Sequence, residues 1–310
     1  MYFRFQRIWR TMIAAAVGSV VAAAAAHAAD TILLLKSRES PQYNEAVDGL
    51  MDEWKKQPAA WDIQRRTLTE AGVADAPLDA AVVAVGTEAA QWAVEHTTGT
   101  VVFCMVANAR QNLLAPLSDQ DRARVTGVTL NVPAQTQFEA LHELLPDAKR
   151  VGIIYDPKKS ARSVEEARAA AAALGLEVVT REVTGEAALT EATAWIAGRV
   201  DVLWATVDST VFNSRSAQFV LAEMLKRKIP VMGFSENMVK AGALLAPRVS
   251  YAGVGRQTAA LLAAVLAGDR PAEPVQTPQA LDIVVNAHVL KTLNQSVRAS
   301  VGPKVSLIDE

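Results

Sequence analysis

Short apolar runs alternate with helical patterns along this chain. The clearest case is Val200-Asp201-Val202-Leu203-Trp204-Ala205-Thr206, which ends in the polar cluster Val207-Asp208-Ser209-Thr210. A helical pattern from Val211 to Lys228 follows, and then a second apolar run, Ile229 to Phe234, ending in Ser235-Glu236-Asn237. Runs this short between helices predict parallel strands buried on both faces. In open parallel sheets ligands bind beyond the carboxyl ends of the strands. Asp208, Ser209, Ser235 and Glu236 are therefore candidate ligand-binding residues, with Phe234 as an aromatic wall.

The same pattern runs through the whole chain. Strands are predicted at 31–35, 61–68, 80–85, 101–106 and 124–130, and then at 150–155, 176–183, 243–246 and 281–285. Helices are predicted after Pro41 with Tyr43, Val47, Leu50, Met51 and Trp54 on one face, from Gly86 to about Thr97, after Pro133, and over 163–174, 186–197 and 254–267. About ten polar residues separate 61–68 from the next strand, too few for a helix, so that crossover is shortened. Residues 296–310 show no pattern. Two strand–helix series, with the chain returning late, predict a hinged α/β protein of two lobes, the first ending between Gly127 and Gln135.

Each predicted strand end adds candidates. Ser37 and Arg38 follow the first strand, and Arg38 suits a carboxylate. Gly86 and Thr87 open a helix whose free N–H groups suit an anion. Asn108, Thr129 and Asn131 are hydrogen-bonding candidates, and Tyr155 is a second aromatic wall. Asp208 is the foremost candidate, because an acid ending an apolar strand is costly unless it is paired or faces a ligand; the alternative is a cap on the helix from Val211.

Composition narrows the function. The 310 residues carry a net charge of −2 without a basic run, which disfavours nucleic acid as a partner. The single cysteine, Cys104, lies in an apolar run and allows no intrachain disulfide. The four histidines are scattered, with no metal-ligand spacing and no nucleophile or phosphate-loop motif, so neither a metal, a cofactor nor an enzyme is expected. Arg4, Arg7 and Arg10, the apolar stretch 12–26 and Ala26-His27-Ala28 form a cleavable signal peptide over residues 1–28, predicting export to the periplasm. Its removal takes three arginines and no acids, so −2 − 3 leaves −5.

The motifs Val125-Thr126-Gly127-Val128, Leu144-Leu145-Pro146-Asp147-Ala148-Lys149-Arg150-Val151-Gly152-Ile153-Ile154-Tyr155-Asp156-Pro157, Ala241-Gly242-Ala243-Leu244 and Gly255-Arg256-Gln257-Thr258, in this order, resemble the type 1 periplasmic substrate-binding proteins of ABC transporters. Gly86-Thr87-Glu88-Ala89-Ala90-Gln91 is similar to that family's first glycine turn. The likeness is to the branch that includes binders of aromatic amino acids. It implies two Rossmann-like lobes joined by three crossovers, 29–130 with 252–276 and 131–251 with 277–310. It also implies a monomer that captures a small organic solute, an amino acid or related carboxylate or aromatic compound, between the lobes and delivers it to an ABC permease. The alternative partner is a membrane sensor kinase. The family's acidic positions after the fourth and fifth strands are here Asn108 and Leu130, so amino-acid specificity does not follow directly.

Overall fold

The computed structural model describes residues 31–57, 61–69, 73, 75–294 and 304–309. The expected signal peptide and part of the shortened crossover lie outside the described residues. The chain divides into two compact units: residues up to Leu130 with Val254–Gln276, and Asn131–Gly253 with the residues from Thr277 onward.

The first unit is a six-stranded parallel sheet. Its strands are β1 (Thr31–Lys36), β2 (Asp62–Thr67), β3 (Ala81–Val85), β4 (Val101–Val106), β5 (Val125–Thr129) and β11 (Val275–Gln276), in the order β11-β5-β4-β3-β1-β2. Ile32 to Leu35, Val82 to Val85 and Val101 to Val106 are all buried, which is why these strands read as unbroken apolar runs. Edge strand β2, Asp-Ile-Gln-Arg-Arg-Thr, is polar, a composition that discourages pairing with another chain. Helices α1 (Pro41–Trp54), α2 (Thr87–His96), α3 (Asp119–Arg124) and α9 (Tyr251–Leu266) belong to this unit or, for α9, enter it from residue 254.

The second unit has seven strands: β6 (Arg150–Tyr155), β7 (Glu177–Glu182), β8 (Val202–Trp204), β9 (Val231–Met232), β10 (Leu245–Val249), β12 (Leu281–Asn286) and β13 (Val305–Ile308). The order is β13-β12-β10-β9-β8-β6-β7, parallel except for the β10–β12 pair. Helices α4 (Ala134–Leu144) and α5 (Pro157–Ala173) pack one face around Phe138, Leu141, Val164 and Ala167. Helices α6 (Leu189–Ala197) and α7 (Ser216–Lys226) pack the other through Ile196, Val220 and Met224. The short helices α8 (Glu236–Lys240) and α10 (Ala287–Thr292) complete this unit.

Four differences from the expected elements have local causes. The helix expected from Val211 begins at Ser216, because the Asn213 Oδ1 accepts from the N–H groups of Arg215 and Ser216 and holds a turn before it. The helix expected at Ser163 begins at Pro157, capped by the Asp156 carboxylate on the Lys158 N–H, with proline at a first-turn position that needs no donor. A short π-helix, Arg110–Leu114, and α3 precede β5. In the tail, where no pattern is expected, Val305–Ile308 forms a strand on β12, since a strand this short carries too little alternation to be read alone.

Gly255 shows how tightly the first unit is packed. A Cβ there would lie 1.9 Å from the Ala46 carbonyl oxygen and 2.8 Å from the Leu50 nitrogen, both backbone atoms of α1. Gly255→Ala must push α9 off α1. It is expected to lower unfolding free energy by about 1–3 kcal/mol in urea denaturation; unchanged stability would refute this close approach.

Candidate functional site

Each parallel sheet has one point where the strand order reverses. In the first it lies between β1 and β3, and in the second between β6 and β8. Loops diverge there to opposite faces and leave a crevice at the strands' carboxyl ends.

At the first reversal, the Ser37 Oγ accepts the Ala89 N–H at 2.9 Å, so a side chain from the end of β1 serves the third N–H of α2. Gly86 has φ 100°, and a Cβ on it would lie 2.5 Å from the Ser37 Oγ and 2.6 Å from the Tyr43 hydroxyl oxygen. Only glycine lets these three groups converge. Thr87 is the half-buried first residue of α2. Arg38 is exposed, 3.5 Å from Glu88 and stacked over the Tyr43 ring at 5.1 Å. Tyr43, read from the sequence as a core position, thus also contributes to this rim.

The other strand ends of the first unit are shaped by the backbone. Met105, with φ 59°, makes a bulge between β4 and β5, and Asn108, with φ 50°, turns the chain so that its carbonyl accepts from Gln111 and Asn112. The Thr129 hydroxyl is buried and donates to the Val106 carbonyl at 2.9 Å, so it braces β4 against β5. Asn131 opens the second unit and is half-buried.

The second reversal is built around Asp208, which is only 2% exposed. Its Oδ2 accepts the Asp156 N–H at 2.8 Å and the Ser160 hydroxyl at 2.9 Å, and its Oδ1 accepts the Thr210 N–H at 2.9 Å. An acid can follow this apolar strand, which ends at Trp204, because it is paired internally. The alternative role, a cap on a helix starting at Val211, does not arise, since the chain turns there, with the Asp208 carbonyl accepting the Phe212 N–H at 2.7 Å, and the helix starts at Ser216. Asp156 is drawn into the same network: its Oδ1 accepts the Lys158 N–H and its Oδ2 the Thr210 hydroxyl. The Lys158 N–H first, then the Thr210 hydroxyl, hold its carboxyl below the ordinary value of 3.8, against the opposing effect of burial.

The remaining candidates of this unit are placed as follows. Ser209 is exposed and its Oγ lies 2.7 Å from the Lys159 ammonium. Tyr155 is a core residue rather than an open aromatic wall, because it is buried in the hydrophobic cluster of this unit while its hydroxyl donates to Glu182 at 2.8 Å. Phe234 is half-buried and meets Phe212 edge to face at 6.3 Å. Ser235 takes the extended N-cap conformation of α8 without its side chain capping. Glu236 lies 3.4 Å from Lys240 and 3.7 Å from Arg248, which also pairs with Asp282, so it belongs to a surface ion network.

Two residues of the second rim were missed from sequence. Lys159 stands in the polar stretch directly after the predicted strand 150–155, and the helix-start signal Asp156-Pro157 places it in a first turn. Thr206 looked like a strand residue, yet its hydroxyl is buried without a hydrogen-bond partner among the described residues. No group of three or more metal-ligating side chains occurs among the described residues, and no helix there is long and apolar enough to cross a membrane.

The network gives two expected outcomes. Asp208→Ala leaves two N–H groups and a hydroxyl unpaired and should lower stability by about 3–5 kcal/mol, with Asp208→Asn intermediate, in urea unfolding; a wild-type midpoint for Asp208→Ala would refute the network. Because the folded-state pKa of Asp156 is depressed, its contribution is complete above about pH 4 and is lost as pH falls through the lowered value. Asp156→Asn should therefore flatten the fall of melting temperature below pH 4, and a profile parallel to wild type would refute the assignment.

A family described as ABC transporter substrate binding protein matches residues 68–302. A tyrosine-binding protein from Clostridioides difficile (strain R20291) is 25% identical over 217 residues, covering 69% of this chain and 62% of that relative's length. Among solved structures, the ligand-free, open structure of a substrate binding protein with adhesive properties from Clostridium difficile superimposes with TM-score 0.72 at 21% identity, covering 90% of this chain and 100% of that one. An ABC domain in complex with L-Trp from Streptococcus pneumonia gives TM-score 0.57 at 22% identity, with the same coverages. These likenesses show the periplasmic-binding-protein fold of type 1, with two α/β units and mostly parallel sheets. With the family match running through both sheets, the chain belongs to the ABC transporter substrate-binding proteins.

Proposed function

We propose that this protein captures a small organic solute, an amino acid or a related aromatic or carboxylate compound, and delivers it to the permease of an ABC importer. The observation that carries the reading is the pair of rigid strand-end rims, at Ser37/Gly86 and at Asp156/Asp208, in a chain of this family. Backbone and side-chain donors lock each rim before any ligand arrives, and such preorganisation lowers the entropy cost of binding. The relatives that bind tyrosine and hold L-Trp support an aromatic solute. The site binds rather than converts: the histidines stand apart in the sequence, and the acids of the second rim are held in structural pairs. The signal peptide read at residues 1–28 supports export, with action outside the cytoplasmic membrane and a mature chain beginning at Ala29.

Protein purified from the periplasmic fraction should begin at Ala29 and release one low-mass organic solute on denaturation, identified by mass spectrometry. Adding that solute back at 100 times its dissociation constant should stabilise the protein by about 2.7 kcal/mol. Chemical conversion of the solute, or no thermal shift with it, would overturn the reading. An N-terminus at Met1 would overturn the export step.

A further inference from the structure

The second sheet's reversal point holds two acids and two lysines, and the acids are turned inward. Both oxygens of Asp208 and both of Asp156 accept hydrogen bonds from donors of the same unit. Glu236, at the neighbouring strand end, faces Lys240 and Arg248. Lys159, by contrast, is exposed, and its ammonium meets a neutral oxygen, the Ser209 Oγ at 2.7 Å. An ammonium has three N–H donors, and one bond to a hydroxyl leaves two for a ligand, although the nearby Asp156 carboxylate already attracts its charge.

Three features fix Lys159 as a feature of the rim rather than a loose surface charge. It sits in the first turn of α5, a 17-residue helix whose amino end is capped by the Asp156 carboxylate, and the attraction between that carboxylate and the ammonium keeps Lys159 beside the rim. Its partner Ser209 lies next to Asp208, whose turn is tied down through Thr210, and the Asn213 Nδ2 reaches the Ser209 carbonyl at 3.5 Å. Thr206, two residues before Asp208, is 2% exposed and has a hydroxyl with no partner among the described residues. A buried hydroxyl with its hydrogen-bonding capacity open is free to pair with a water or a bound molecule.

We propose that Lys159, seated on Ser209, is where the rim of the second sheet holds the carboxylate of its solute, so that the ligand class is organic acids and an amino group on the ligand is not required. The inference rests on the solute-binding reading above and names the chemistry of that site. The acids that would recognise an ammonium are spent on the fold, while the exposed charge left at the rim is cationic. Asp156 and Asp208 are held back behind their donors, and a carboxylate approaching Lys159 meets the ammonium first.

The test uses matched acid and amine probes: 3-(4-hydroxyphenyl)propanoate against tyramine, phenylacetate against phenethylamine, and gluconate against glucosamine. Any solute released from the purified protein is included. Thermal shift and calorimetry are run on the full chain and on Lys159→Gln and Lys159→Arg. Neither variant breaks more than an exposed hydrogen bond, so melting temperatures without ligand should stay near wild type. The expected result is that only acids bind, that Lys159→Gln weakens them about 10- to 150-fold, and that Lys159→Arg retains most of the affinity. Binding of an amine probe, or equal affinity of an acid for wild type and Lys159→Gln, overturns the inference. A released solute that is neutral or cationic also overturns it, while leaving the solute-binding function standing. No probe bound and no solute released overturns both.

Discussion

One buried carboxylate organises the second unit. Asp208 lies in the loop after apolar strand β8, and its two oxygens gather an N–H from the end of β6, a hydroxyl from the first turn of α5 and an N–H from its own turn. A charge this buried is tolerated only when such donors surround it. In return it fixes the loop after β6 to the loop after β8, the two loops that part at the reversal of strand order. Everything exposed at that rim, Ser209 and Lys159 included, stands on this bond set.

The first unit solves the same problem with neutral groups. There the Ser37 hydroxyl reaches across from β1 to the N–H of Ala89, and Gly86 gives up its side chain so that Ser37 and Tyr43 can approach. Both rims thus spend a polar side chain from one strand end on the backbone of the neighbouring loop. The cost is that these side chains are no longer open to a ligand; the gain is a rim whose geometry is set in advance. Recognition then falls to residues one step further out, which is why Lys159 bears on the solute more directly than the acid it flanks.

The strands were legible because burial on both faces removes polar positions altogether: Ile32 to Leu35 and Val101 to Val106 are entirely buried and entirely apolar, apart from the thiol of Cys104. The order of these runs with their helices, and the glycine and Leu-Pro-Asp motifs, carried the family and the doubly wound architecture. The strand ends were legible as places, since a parallel strand must finish in a polar loop. Edge strand β13 was not, because four residues, three half-buried and Leu307 exposed, follow no rule until β12 offers them hydrogen bonds.

Roles at those places were decided in three dimensions. The sequence by itself determined that Asp208, Tyr155, Glu236 and Lys159 stand at or beside strand ends, because position along a strand is a local property. Whether each meets protein or solvent depends on partners far away in the chain: Asp208 on Asp156, 52 residues earlier, Tyr155 on Glu182, 27 later, and Glu236 on Arg248. Hydrogen bonds are short-ranged and directional, so a carboxylate committed to the fold and one open to a ligand have the same sequence signature. Only the packed structure, which brings those partners within 3 Å or 4 Å, tells them apart.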